Sequence, residues 1–259
     1  MVNRAPLVQA PSRWLISDAL STNPASSADL GAAAPASPIV RFDQVSLAGG
    51  PGGWILRGLS FALAPGSFHW LTGGAGKTSL LGLIGLVEQP RQGVAQVFGR
   101  DAAALSRKEA MLARRRIGLV LEPLTFVEHL SAWDNAAFAA RVTGRKPDDY
   151  AGDVNAILKW VGLAKAADEL PSALGVADRH RLALARALVN RPELLLIDEP
   201  ADGFDDAARQ RVYKLAGEIH AAGATVVMVC RDEAFAVASG RPVIRLQDGR
   251  ANLAEPEPA

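Results

Sequence analysis

From Ile39 to Leu47 apolar and polar residues alternate (Ile39-Val40-Arg41-Phe42-Asp43-Gln44-Val45-Ser46-Leu47), the period-two pattern of a half-exposed strand. A Gly/Pro-rich turn, Gly49-Gly50-Pro51-Gly52-Gly53, leads to a second predicted strand at Leu59–Leu63, ended by Pro65-Gly66. A third follows at Ser67–Thr72. The pattern then turns helical. Helices are expected over Leu80–Val87, Ser131–Arg141, Asp148–Val161 (closed by Gly162), Asp178–Val189 and Ala207–Ala222. Two runs break the helical rhythm: Leu194-Leu195-Leu196-Ile197, and Ala224 through Cys230. Both are continuously apolar, as a strand buried on both faces must be. Strands alternating with helices in this way predict a parallel sheet covered on both sides, an α/β fold.

The third strand runs directly into Gly73-Gly74-Ala75-Gly76-Lys77-Thr78-Ser79 at the head of an apolar helix. A strand, a glycine-rich loop and Lys-Thr at a helix start describe a P-loop. Glycines let backbone N–H groups approach phosphate oxygens, and the helix N-terminus favours the anion. Lys77 is expected to reach the outer phosphates and Thr78 to offer its hydroxyl to Mg²⁺. Asp198, at the end of the run Leu194–Ile197, would complete the Mg²⁺ site, and Glu199 would polarise the attacking water. The expected cofactors are ATP and Mg²⁺. The spacing departs from the usual pattern, because only Gly74 and Ala75 separate Gly73 from Gly76-Lys77. The loop is therefore two residues short, presents fewer N–H donors and must curve more tightly.

Composition narrows the classes further. The 259 residues are 49% hydrophobic and 21% charged with a net charge of +1, which leaves nothing to argue for a nucleic-acid partner. The single cysteine, Cys230, reads as a small buried hydrophobe. No stretch approaches the roughly 20 apolar residues needed to cross a bilayer, so any work at a membrane is expected to go through another subunit. Residues 1–38 are rich in Ala, Ser and Pro and are expected to form a disordered extension. A folded unit should span 39–252, with a helical subdomain at about 123–178, and residues 253–259 a flexible tail. His129 and His180 look like isolated surface residues, and Arg114-Arg115-Arg116 like a solvated helix end.

The order of these motifs resembles that of ABC ATPases over roughly residues 39–250. The stretches Arg114–Val120, Lys159–Leu163, Ser172-Ala173-Leu174 and Leu182–Pro192 are similar in wording to the FtsE type of cell-division ATP-binding protein. The resemblance implies a P-loop NTPase cassette with a mostly parallel core sheet, an antiparallel β subdomain and a helical subdomain. It also implies an FtsX-like integral membrane partner, a homodimer or a heterodimer with another cassette, and a place on the inner face of the plasma membrane held through that partner. Leu130, Trp133 and Phe138 are the candidate contacts to the membrane subunit.

Carried over position by position, the family's working parts are altered. The signature loop corresponds to Leu174-Gly175-Val176-Ala177-Asp178, so Gly175 lacks the serine hydroxyl and Val176 puts a branched side chain where glycine is usual. Glu122 stands at the Q-loop glutamine position and Arg231 at the switch histidine position. Gly49 stands where an aromatic usually stacks on adenine, with Trp54 a nearby substitute, and Asp205 matches the D-loop aspartate. These replacements point to impaired hydrolysis. Two alternatives remain open at this stage: an active exporter-type ATPase, and a non-hydrolysing, ABC-shaped interaction protein. A soluble nucleotide kinase is disfavoured, since no acceptor-substrate lid is evident.

Overall fold

A computed structural model describes residues 37–49, 53–198 and 206–254. Its centre is a set of parallel strands whose side chains are divided between two apolar cores. In β3 (Phe68–Gly73) Phe68 and Trp70 enter one core and Leu71 the other. In β7 (Leu194–Ile197) Leu195 and Ile197 go one way, Leu194 and Leu196 the other. β8 (Thr225–Val229) repeats the division with Val226 and Met228 against Val227 and Val229. The pleat sends successive side chains to opposite faces, so strands buried on both sides read as unbroken apolar runs.

Together with β6 (Ile117–Val120), β9 (Val243–Gln247) and β10 (Arg250–Ala254) these strands form a six-stranded sheet in the order β10-β9-β3-β8-β7-β6. It is parallel except for the terminal β9–β10 hairpin. A second, antiparallel sheet has the order β2-β1-β4-β5. It is built from β1 (Val40–Gly49), β2 (Gly53–Leu63), β4 (Gln92–Val97) and the short β5 (Arg100–Asp101). The turn after β9 is tied to this sheet, since Arg57 N–H donates to the Gly249 carbonyl at 2.7 Å. The mixed architecture matches the expected α/β cassette. The expected strands from 39 to 72 and the two buried runs are present, while β4, β5, β6, β9 and β10 are additions. β10 continues to Ala254, two residues past the expected end of the folded unit at 252.

Helix α1 (Lys77–Ile84) begins at the P-loop lysine, three residues earlier than periodicity suggests. It packs Leu80, Leu81, Leu83 and Ile84 into the core shared with the antiparallel sheet. Helix α2 (Arg107–Arg114) opens with a capping box between Ser106 and Glu109. The other core lies under α3 (Ala132–Val142), α4 (Pro147–Val161), α5 (Val176–Leu188) and α6 (Asp206–Ala221), with α7 (Glu233–Ala238) beside β3. Helix α5 lies hard against β6. A β-carbon on Gly118 would approach the Ala187 carbonyl to 2.9 Å, so only glycine lets the helix come so near. No helix among the described residues is long and apolar enough to cross a membrane.

One buried amide shapes the loop that enters α3. Asn135 is fully buried; its Oδ1 accepts from Val127 N–H at 2.9 Å, and its Nδ2 donates to the carbonyls of Val127, Leu130 and Ser131, each at 3.0 Å. Asn135→Ala strands these backbone groups without partners. It is expected to lower unfolding stability by about 1–3 kcal/mol, read from a denaturant titration.

Candidate functional site

The loop between β3 and α1 leaves the sheet under tight steric control. Gly73 has φ 95°, and a β-carbon on it would fall 2.1 Å from the Leu246 carbonyl oxygen of β9. That same oxygen accepts from Gly74 N–H at 2.9 Å. Gly76, the residue before α1, has φ 98°, and a β-carbon there would meet Leu56 at 3.0 Å and Ile55 at 3.3 Å, both on β2. The first intrahelical bond runs from Leu80 N–H to the Gly76 carbonyl at 2.8 Å. The amides of Lys77, Thr78 and Ser79 are therefore first-turn donors with no helical acceptor, the arrangement that receives an anion.

With Gly74 and Ala75 alone between Gly73 and Gly76, the lysine lies over its own loop. Lys77 Nζ donates to the Gly73 carbonyl at 2.7 Å and to the Gly74 carbonyl at 2.6 Å. An ammonium has three donors, so two are engaged by backbone before any ligand arrives. Two positions after Lys77, Ser79 faces Glu88, whose carboxyl burial pushes above the usual range while the Ser79 hydrogen bond opposes the rise.

Thr78 and Asp198 meet from opposite ends of the sequence. The Thr78 hydroxyl donates to Asp198 Oδ2 at 2.6 Å, and Asp198 N–H donates to the Val120 carbonyl at 2.7 Å, which extends the β6–β7 pairing by one residue. Asp198 is buried, and burial pushes its carboxyl above the usual carboxylate range. The Glu122 charge adds to the rise, while the Thr78 hydrogen bond, Lys77 and Arg231 oppose it. Hard oxygen ligands suit Mg²⁺, and neighbouring ligands in its octahedral shell at 2.0–2.1 Å stand about 3 Å apart. The two oxygens need only a few tenths of an ångström of opening to flank such an ion, so the residues fit it.

The sequence-predicted set is thus partly assembled. Gly73 through Ser79, Asp198, Glu122 and Arg231 converge on the carboxyl ends of β3, β6, β7 and β8. Glu122 and Arg231 are both close enough to act on Asp198 electrostatically. Glu199 and Asp205 lie outside the described residues. Trp54 is half-buried on β2 opposite Ala48, one residue before Ile55 at the P-loop. At the signature position Gly175 precedes α5 as its N-cap and Val176 is 49% exposed. A β-carbon on Gly175 would meet nothing within 4 Å, so a serine is sterically free there.

One residue was misjudged by pattern. His180 is not on the surface: it is buried in α5, with Nε2 2.9 Å from Glu122 Oε1. Burial pulls its pKa below the ordinary histidine range, against the opposing influence of Glu122, the Val176 carbonyl and Asp198. The signal that could have found it is helical spacing, since His180 stands four residues before Leu184 on the apolar side of α5. His129 is exposed, as expected.

Beyond this cluster, a groove of about 360 Å³ separates α2 from α3 and α5. It is lined by Met111, Arg114, Arg115, Phe138, Val142 and Arg186, among others. Met111, Phe138 and Val142 are exposed. The arginine triplet is therefore not simply solvated: Arg114 donates to the Leu86 carbonyl, Arg115 faces the groove, and Arg116 pairs with Glu193. Of the three expected partner contacts, Phe138 lines this groove. Trp133 instead donates to Asn155 and packs near Tyr150, and Leu130 caps a turn with its amide on the Val127 carbonyl.

Residues 56–202 match the family model described as ABC transporter. The chain belongs to the ABC transporter family. It is 34% identical over 213 residues to the cell division ATP-binding protein FtsE of Escherichia coli K12, covering 82% of this chain and 96% of that one. It is also 33% identical over 198 residues to the macrolide export ATP-binding/permease protein MacB of Chromobacterium violaceum, where the match spans 75% of this chain and 31% of MacB. Among solved structures, the ATP-binding cassette MJ0796, a dimer in a post-hydrolysis state bound to ADP and Pi, aligns with a TM-score of 0.77. The identity is 23%, over 85% of this chain and all of the other, and the likeness is one of fold. The ABC cassette fold and the FtsE-like family relationship are those expected from the sequence.

Asp198 offers a test of how this ABC cassette is built. A carboxyl whose folded pKa is raised contributes stability below its unfolded pKa and loses it as pH rises through the folded value. Asp198→Asn keeps an acceptor for Thr78 and removes the buried charge. In ligand-free protein at neutral pH it is expected to raise the thermal midpoint, by about 2–4 °C per kcal/mol relieved in a domain of this size. The difference should vanish below about pH 4, where the unfolded carboxyl is also protonated. Thermal melts of both proteins across pH read it directly.

Proposed function

We propose that this chain is the ATP-binding subunit of a membrane complex of the FtsE kind, with weak or absent ATP hydrolysis. The observation that carries the reading is the Thr78–Asp198 contact of 2.6 Å beside an intact first turn of α1. In this reading Gly73, Gly74, Ala75, Gly76, Lys77, Thr78 and Ser79 cradle the phosphates. Thr78 and Asp198 hold Mg²⁺, which supplies charge neutralisation on the outer phosphates when bound. Glu199 polarises water, and Arg231 offers a fixed positive charge where a histidine would titrate.

Weak turnover follows from the signature and loop positions. Gly175 offers no hydroxyl to a phosphate held across a dimer of cassettes, Val176 obstructs close backbone approach, and two of the Lys77 donors are engaged by loop carbonyls. One missing transition-state donor typically costs about 10²–10³ in rate. Losses of this kind act as a unit and do not simply add.

The partner in this reading is an integral membrane subunit resembling FtsX, met at the inner face of the plasma membrane, with a second cassette of the same or another chain completing the dimer. The groove around Phe138 and Val142 supports it, because it joins exposed apolar side chains to Arg115 in one concavity. A second reading, an exporter-type ATPase with sustained turnover, is favoured by retention of the Thr78–Asp198 pair next to Glu199 in sequence and by the likeness to MacB.

A fluorescent ATP analogue titrated in Mg²⁺, with phosphate release followed in the same samples, separates these readings. The expected result is binding with little or no release. Steady release abolished by Glu199→Gln would establish a true ATPase and overturn the reading of weak hydrolysis, and absence of binding would leave only the interaction role. For the partner surface, Val142→Asp is expected to abolish co-purification with a co-expressed FtsX-like membrane subunit, without changing the thermal midpoint by more than about 2 °C, as suits an exposed position.

A further inference from the structure

Glu122 and His180 come from different parts of the chain and meet where the core sheet adjoins the helical layer. Glu122 lies two residues beyond β6, and His180 lies in the second turn of α5. One oxygen of the carboxylate, Oε2, accepts from Leu124 N–H at 3.2 Å, and the other, Oε1, lies at ion-pair distance, 2.9 Å, from His180 Nε2. The ring is 5% exposed and the carboxylate 32%.

The position of Glu122 makes this contact consequential. A carboxylate stands where ABC cassettes resemble one another in carrying a neutral amide, and its charge already acts on Asp198. Two nearby carboxylates disfavour each other's ionised form, and a triphosphate arriving at the loop would add further negative charge. An unengaged Glu122 would therefore oppose the ligand that Lys77 and the α1 amides are arranged to receive. The close approach of the His180 ring to Oε1 keeps the carboxylate on the side of α5 and limits that opposition.

We propose that His180 is a positioning residue of the nucleotide site, holding Glu122 through the Nε2–Oε1 contact so that a carboxylate is tolerated at a position that otherwise takes an amide. The role rests on the reading of the β3–α1 loop as a nucleotide site. It differs from packing, because it exists only while residue 122 is a carboxylate. A histidine that merely fills the core would be needed equally whatever stands at 122.

The test is a double-mutant cycle on the full chain, with His180→Leu, Glu122→Gln and the pair combined, and His180→Gln as the variant that keeps a donor. Binding of the fluorescent ATP analogue in Mg²⁺ is the first readout. His180→Leu is expected to weaken binding about tenfold, or about 1.4 kcal/mol, and H180Q by no more than about twofold. In the E122Q background His180→Leu should cost nothing further. An equal loss in both backgrounds would overturn the proposal and make His180 a packing residue. If the parent chain binds no nucleotide, the reading of the loop fails, yet the pair is still decided by thermal midpoints without ligand. A larger drop from His180→Leu in the parent than in E122Q supports the positioning role, and equal drops refute it.

Discussion

The Leu246 carbonyl oxygen is the point on which the arrangement turns. It occupies the space a side chain on Gly73 would need, 2.1 Å from the ideal β-carbon, and it accepts the Gly74 amide at 2.9 Å. Strand β3 must end there and the chain must turn, because continuing the strand with any L residue would drive it into β9. From that fixed departure the loop has two residues in which to reach Gly76, itself held against Ile55 and Leu56 of β2. The loop is thus pinned at both ends by neighbouring strands. Its shortness expresses itself as a lysine drawn over its own carbonyls, not as a displaced helix.

The same pinning explains how the Thr78–Asp198 pair is assembled. Thr78 stands on α1, and Asp198 is anchored by its amide to the Val120 carbonyl of β6, so the two oxygens meet through sheet and helix placement and not through flexible loop contacts. Glu122, which leaves β6 toward the helical layer, and Arg231, which follows β8 and is exposed, stand close enough to act on Asp198, while Gly175 and Val176 start a helix. The doubly buried strands beneath them place these positions without depending on their side chains, because the packing lies in the two apolar cores.

Much of this was legible in the residues themselves. The runs Leu194–Ile197 and Thr225–Val229 declared buried parallel strands because every position is apolar, and the structure assigns alternate residues to the two cores. Gly73 to Ser79 declared a phosphate loop from glycine and Lys-Thr alone. The edge strands escaped notice because an edge strand such as Arg250–Ala254 is largely exposed and carries no strong alternation. The start of α1 was set too late because Lys77, Thr78 and Ser79 are polar, yet a glycine in the left-handed region supplies the cap. His180 was lost to the same bias: a titratable residue in a polar helix start reads as exposed until its partner, 58 positions away in sequence, is brought to it. Sequence spacing cannot report a pairing that only tertiary contact creates.

Gly118 leaves one more mark on the whole. Helix α5 lies against β6 with no room for even a methyl group at Gly118, and its thirteen residues run about 20 Å along the sheet. One end carries Arg186 and Ala187 at the rim of the groove; the other begins at Val176, which is exposed. The rim of the groove and the start of α5 are thus the two ends of a single element, seated on the sheet where one glycine makes room for it.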